Sequence, residues 1–391
     1  MNNIFENNDK KMDFESIRPF RDDEVPAAIK QLCAVPYFKR VLEFLFPTIP
    51  AEDVIGKLQT ITTIDDFQKA FILPFLDNLI KKTTQGVTAS GLENVDPKKS
   101  YLFMTNHRDI ILDSALMNVK LSEHGVETTE IGIGDNLLIY EWITDLVKLN
   151  KSFVVKRNLP VRQMMEASAT LSAFIRQSIS EGRNIWISQR EGRTKDGDDQ
   201  TQSSVLKMLN LSSQEDVVKG FEDLHILPVS ISYELDPTDY LKAFQFQLKR
   251  DNPDYKKSPE DDLIHMNTGL QGRKGRIHFS FGKEITASDM QKLVGLNKNA
   301  FINGMCELVD HQVHKNYHLW SGNYVAYDWL NKTNIKADEG KYTPYEQTTF
   351  MEYVNEHISR LGDAADRDFV LTQILQMYAT PVVNKEKAET I

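Results

Sequence analysis

Between Gly86 and Tyr233, short apolar runs alternate with segments of helical period, and this alternation most constrains what the chain can fold into. The runs are Gly86–Val95 (a strand and turn), Tyr101–Thr105, Glu130–Gly134, Phe153–Arg157, Asn184–Ser188 and Leu224–Tyr233. Between them, Pro160–Gly182 reads as a long helix with Met164, Ala167, Leu171, Phe174, Ile175 and Ile179 turned inward. A shorter helix is expected around Ser203–Leu209. Strands alternating with helices predict an α/β layer fold built on a mixed, largely parallel sheet flanked by helices.

Outside this core the pattern is helical, which predicts N- and C-terminal helical extensions. The expected regions are 1–85, an α/β domain over 86–285, and 286–391. Residues 1–16 read as a loose polar leader, and Asp22–Lys82 as helical. Val41, Leu42, Leu45 and Phe46 form an apolar patch closed by Pro47 and Pro50. Phe67, Phe71, Phe75 and Leu79 then recur every four residues, with Pro74 predicting a kink. That stripe either packs into a helical bundle, the preferred reading, or forms an interfacial surface with Lys81 and Lys82 at lipid headgroups. Further on, Lys249–Asp262 reads as an exposed loop and Arg276–Gly282 as an edge strand. From Ala287 the pattern is helical, with Pro344 and Pro381 as breaks.

Composition narrows the function classes. The 391-residue chain is 41% hydrophobic and 26% charged, as in ordinary globular proteins. Its net charge of -10 gives no global basic field for nucleic acid. Cys33 and Cys306 lie far apart in sequence and fit a reducing cytoplasm better than a disulfide framework. The polar N-terminus lacks the apolar core of a signal peptide. No run of roughly 18 consecutive apolar residues predicts a spanning helix.

Tyr101–Ala115 carries the clearest chemistry. Its apolar run breaks at Asn106-His107 and resumes with Ile110, Ile111, Ala115 and Met117 in a helical pattern. That order predicts a strand, a tight turn and a helix start, with His107 exposed at one edge of the sheet. An imidazole there, oriented by a carboxylate, can take a proton from an attacking hydroxyl. Asp109 suits the N-cap of a helix beginning at Ile110, so Asp113 is expected to hold the ring.

Other strand ends supply candidates for anion binding. Lys156-Arg157 could grip a phosphate where ligand groups gather in α/β folds. In Arg190-Glu191-Gly192-Arg193-Thr194, Gly192 gives the backbone room near a ligand, Arg193 offers a bidentate fork, and Glu191 can orient either. The pair Gly132-x-Gly134 is too short for a dinucleotide fingerprint and reads as a strand-end turn. His311, His314 and His318 share one helix face, but without an H-E-x-x-H motif they read as packing rather than a zinc site.

Taken in order, Asn106-His107-Arg108 followed by an aspartate, Phe153–Arg157, Arg190–Thr194, and Leu227-Pro228-Val229 with Ile231 resemble the four sequence blocks of the glycerolipid acyltransferases. The likeness spans Asn106–Tyr233, continues more weakly to Gly282, and is nearest to the glycerol-3-phosphate and dihydroxyacetone-phosphate branch. The family pattern is H-x4-D, whereas His107 to Asp113 is H-x5-D, and one extra residue is a rotation of about 100° on a helix. The third block here has one glycine and no proline before Glu191.

The resemblance implies transfer of a fatty acyl group from a CoA or acyl-carrier-protein thioester to a hydroxyl of glycerol-3-phosphate or 1-acylglycerol-3-phosphate. His107 would be the general base and Asp113 its partner. Since no serine or cysteine lies in a nucleophile-elbow pattern, the hydroxyl would attack the thioester directly. Phosphate contacts would come from Arg108, Lys156, Arg157 and Arg193, in a site shaped by Glu191 and Gly192. Backbone N–H groups at the helix start after His107 would meet the oxyanion. The fourth block would form part of the acyl-pocket wall. No bound cofactor or metal is implied. The partners would be the thioester, a glycerol-phosphate or lysophospholipid acceptor and a membrane surface, with no nucleic acid. The expected location is cytoplasmic, peripheral on the inner face of the plasma membrane. Action on another lipid acceptor, or a non-catalytic phospholipid-binding scaffold, stands as the alternative.

Overall fold

The computed structural model describes residues 13–157 and 159–390, so most of the polar leader lies outside the described residues. Its strands are β1 Thr84–Ser90, β2 Leu102–Thr105, β3 Glu130–Gly134, β4 Ser152–Val155, β5 Ile185–Ser188, β6 Ile226–Tyr233 and β7 Gly275–Phe281. They form one sheet in the order β1-β7-β6-β2-β5-β3-β4. From β6 to β4 all neighbours are parallel, while β7 runs antiparallel to β6 and parallel to β1. The mixed, largely parallel α/β fold is therefore present, with helical extensions at both ends.

The sheet is a middle layer because its strands are apolar on both faces. Leu102 and Met104 of β2 join Leu171, Phe174 and Ile175 in one core, whereas Phe103 joins Leu112, Leu116 and Val229 in another. Helices Val161–Ser180, Ser203–Leu209 and Lys298–Lys315 cover the first face; Leu73–Thr83 and Leu112–Glu123 cover the second. Each fully buried Val, Leu, Ile or Phe contributes about 1.5–3 kcal/mol. A further cluster unites Leu235, Tyr240 and Ala243 with the C-terminal helices Ser321–Asn331, Pro344–Ser359 and Arg367–Glu389.

Among the N-terminal helices, Phe67, Phe71 and Leu79 are buried and Phe75 is partly buried against Phe46. The stripe is core, and it offers no face to a membrane. The chain also adopts a π-helical turn at Gln68–Ile72, just before Pro74 opens the helix Leu73–Thr83. No helix among the described residues is long and apolar enough to cross a membrane.

Three expectations need correction. β7 is an interior strand between β1 and β6, because its alternation reports one polar face, with Arg276 and His278, rather than a missing neighbour. The segment 249–262 is a loop only over 252–258: the helices Asp239–Asp251 and Pro259–Gln271 take its two ends, the second opened by a capping box between Ser258 and Asp261. Pro381 lies inside the helix Arg367–Glu389 instead of ending it. Two further helices, Glu141–Leu149 and Val217–Glu222, lie outside the expected elements, although Trp142, Leu146 and Leu149 give the first an apolar face.

Candidate active site

β2 delivers the chain to the carboxyl edge of the sheet, where Asn106 fixes the direction it leaves. The Asn106 amide donates to the Ile231 carbonyl at 3.0 Å and accepts the Ile231 N–H at 2.7 Å, tying this turn to β6. His107 follows, half-buried, with its ring edge-on to Trp186 at 5.7 Å. Its Nδ1 lies 2.8 Å from Asp113 Oδ2. Asp113 is fully buried and its Oδ2 also accepts the backbone N–H groups of Arg108 and Asp109, at 2.6 and 3.1 Å. A carboxylate held by three donors fixes the imidazole with its proton on Nδ1, which leaves the Nε2 lone pair for a substrate proton.

The extra residue of the H-x5-D spacing is absorbed by the turn. The helix starts at Leu112, two residues later than expected, and Asp109 caps it by accepting the N–H groups of Ile111 and Leu112 at 2.9 and 2.8 Å. This arrangement narrows one expectation. The N–H groups of Arg108, Asp109, Ile111 and Leu112 are bonded to the two carboxylates and do not remain for an oxyanion; the Ile110 N–H is not among them.

Arg108 also departs from its expected part. Its guanidinium forms a bidentate pair with buried Asp199, at 3.0 and 2.5 Å. Asp199 further accepts from Asn106, Thr194 and Tyr317. With its fork committed, Arg108 anchors the turn and offers no open cation for phosphate. Lys242, fully buried, donates to the Arg108 carbonyl at 2.8 Å from the helix Asp239–Asp251. Thr194 donates its N–H to the His107 carbonyl at 3.1 Å, which brings the loop after β5 against the dyad.

That loop carries Arg193 and Lys195. Arg193 is 9% exposed and bonds His265 Nδ1 at 3.2 Å. Burial lowers its pKa, opposed by the Asp109 and Asp236 carboxylates. Lys195 is half-buried; burial, then the Lys257, Arg193 and Lys242 cations, push its ammonium down to about 8. Burial and the same neighbouring cations drive His265 down to about 2, so it is neutral. Lys195, Lys242, Asp199 and His265 escaped the sequence reading. The only local signal was Lys195 beside Arg193; the others come from segments without a motif.

The remaining candidates divide. Arg157 joins the rim, its guanidinium 3.4 Å from Glu191, while Lys156 is exposed with no bonded partner among the described residues. Gly192 takes φ +70° in open space, a conformation suited to glycine. Leu227, Val229 and Ile231 of the fourth block are fully buried in the sheet core, and Ile231 borders a small cavity beside Arg108, Tyr317 and Tyr378. The three histidines do not share one helix face: His311 and His314 lie on the helix Lys298–Lys315, where His314 bonds the Asp199 carbonyl at 2.7 Å, while His318 lies beyond its end and packs at a tilt against His278 and Trp320.

Comparison with curated proteins finds no match. Among solved structures, the chain is similar to the 1-acyl-sn-glycerophosphate (LPA) acyltransferase PlsC from Thermotoga maritima. The identity is 12%, over 73% of this chain and 91% of that one, with a TM-score of 0.35. The Acyltransferase family model matches residues 86–232, the segment that holds the dyad, Arg193 and Lys195. The chain thus carries a segment that matches the Acyltransferase family, set between its helical extensions.

Proposed function

We propose that the protein moves a fatty acyl group from a CoA or acyl-carrier-protein thioester to a hydroxyl of glycerol-3-phosphate or 1-acylglycerol-3-phosphate. The observation that carries this reading is a buried Asp113 holding His107, beside two cations, Arg193 and Lys195, that have no carboxylate bonded to them among the described residues. The base and the anion site lie on two loops joined by the Thr194 N–H on the His107 carbonyl. His107 Nε2 takes the proton of the acceptor hydroxyl as its oxygen attacks the thioester carbonyl. The tetrahedral intermediate then collapses, the C–S bond breaks, and the imidazolium returns the proton to the leaving thiolate. Holding the acceptor by its phosphate supplies the proximity such an attack needs.

Membrane contact would lie at the carboxyl edge of the sheet and not on the Phe67–Leu79 stripe. There Tyr140, Val161 and Met165 stand exposed near Lys156 and Arg162, cations suited to an anionic leaflet. The corresponding location is the cytoplasmic side of a membrane. An intact dyad weighs against the scaffold alternative.

Thiol release from palmitoyl-CoA is measured with glycerol-3-phosphate, with 1-acylglycerol-3-phosphate, or with no acceptor. Release should depend on the acceptor and fall roughly 10²- to 10⁴-fold in His107→Ala. Release indifferent to acceptor, or none with either thioester carrier, would refute the assignment.

A further inference from the structure

Arg193 is buried, yet among the described residues it has no ion-pair partner, only the neutral ring of His265 at 3.2 Å. Buried charges are ordinarily matched by an opposite charge. Here the matching goes elsewhere. Lys257 is paired with Asp262 and Lys242 with Asp236. Asp109, the carboxylate that acts most strongly on Arg193 through space, is bonded to two backbone N–H groups.

The holder of Arg193 is itself uncharged. His265, 3% exposed, accepts from Arg193 at Nδ1, so its proton sits on Nε2, 2.9 Å from the Gln245 amide. Gln245 Oε1 is buried with no other partner. Turning the amide so that Oε1 accepts the Nε2–H satisfies both groups at once. The series Gln245–His265–Arg193 is thus neutral up to the guanidinium. Beside it, Lys195 has no bonded acceptor among the described residues. Carboxylates reach the two cations only through space, and among the described residues none is bonded to either.

We propose that His265 and Gln245 form an uncharged holder that fixes Arg193 without neutralising it, so that Arg193 and Lys195 together select a dianionic phosphate monoester over a phosphodiester or an uncharged headgroup. Both holder residues come from the helices Asp239–Asp251 and Pro259–Gln271, outside the matched acyltransferase segment. Each is a positioning residue that acts through Arg193. A carboxylate at position 265 would instead take Arg193 in a charge-assisted pair and cancel half the site. The proposal rests on the reading above only in naming this the acceptor side, and the binding it describes is measurable without turnover.

The test titrates the full chain with inorganic phosphate, glycerol-3-phosphate and glycerophosphocholine by calorimetry. The two monoester-type anions should bind at least about tenfold more tightly than the diester, because a second charge facing two cations is worth more than the first alone. His265→Gln, still an uncharged acceptor, should stay within about threefold of wild type, while His265→Glu should lose about tenfold or more. Equal affinity for monoester and diester overturns the proposal, as does a His265→Glu protein that binds phosphate like wild type. Should His265→Glu fail to fold by circular dichroism, Lys195→Gln, at a half-exposed position, carries the test with an expected loss of about tenfold. Unchanged phosphate binding there overturns it too. Selective phosphate binding without acyl transfer would uphold this site and defeat the proposed reaction; acyl transfer without monoester selectivity would do the reverse.

Discussion

Asp113 shows what a single residue contributes when everything around it is arranged to hold one oxygen. Replacing it with Asn removes the charge that steadies the His107 ring while keeping its volume, so kcat should fall about 10²- to 10⁴-fold with the melting temperature little changed. Steady-state kinetics with thermal melts checks both. Lys195 predicts a pH dependence for acceptor binding. Its ammonium, pushed to about 8, faces Lys257, Arg193 and Lys242 and is opposed by Asp262. Raising the pH through that value removes one cation, so KM for glycerol-3-phosphate should rise above pH ~8, and Lys195→Gln should flatten that limb. His265 sets a limit on the acid side of stability. It is neutral when folded, with its pKa depressed to about 2 by burial and by Arg193, Lys257 and Lys242. The unfolded chain takes up a proton below about 6.5, so this site removes roughly 1.4 kcal/mol of stability per pH unit as pH falls further. Denaturant titrations at pH 5 and 7 should show a smaller loss in His265→Gln.

At the level of elements, the turn that carries His107 is a junction fastened from several directions. Asn106 ties it to β6, Thr194 ties it to the loop after β5, and Arg108 locks it onto Asp199. Asp199→Ala would leave the Arg108 guanidinium buried and unpaired, and should cost about 3–5 kcal/mol in denaturant unfolding. The same loop depends on Gly197, which takes φ +77° with a would-be Cβ only 2.2 Å from the Met377 carbonyl. That carbonyl has lost its helical donor because Pro381 lacks an N–H, and the glycine backbone fits against it. Gly197→Ala combines left-handed strain with a backbone clash and should destabilise by about 1–3 kcal/mol. A variant as stable as wild type would remove this account of the contact.

Over the whole molecule, the C-terminal helices are bonded to the loops that build the site. Asn384 donates to Asp198 at 3.1 Å, Lys385 to the Tyr317 carbonyl at 2.7 Å, and Tyr378 to Asp239 at 3.0 Å. Truncation before Arg367 removes Val370, Ile374 and Leu375 from the cluster they form with Leu235, Tyr240, Val325 and Val354, and should abolish acyl transfer with partial loss of structure. A truncated chain with wild-type turnover would show those helices to be dispensable. The alternation from Gly86 to Tyr233 dictated the α/β layers, because an element that buries an apolar face must repeat with its own geometric period. His107 and Asp113 were legible for a related reason: a strand, a break and a helix start leave little choice of where their side chains meet. Only the tertiary structure supplied the rest of the site. Asp239–Asp251 gave no helical stripe, since its buried face carries Asp239, Lys242, Gln245 and Gln247. Asp199 meets Arg108 from 91 residues away, and His265 meets Arg193 from 72. A period records which side of an element faces oil, but a polar interior leaves no such mark, and its partners are chosen by charge once the fold has brought them together.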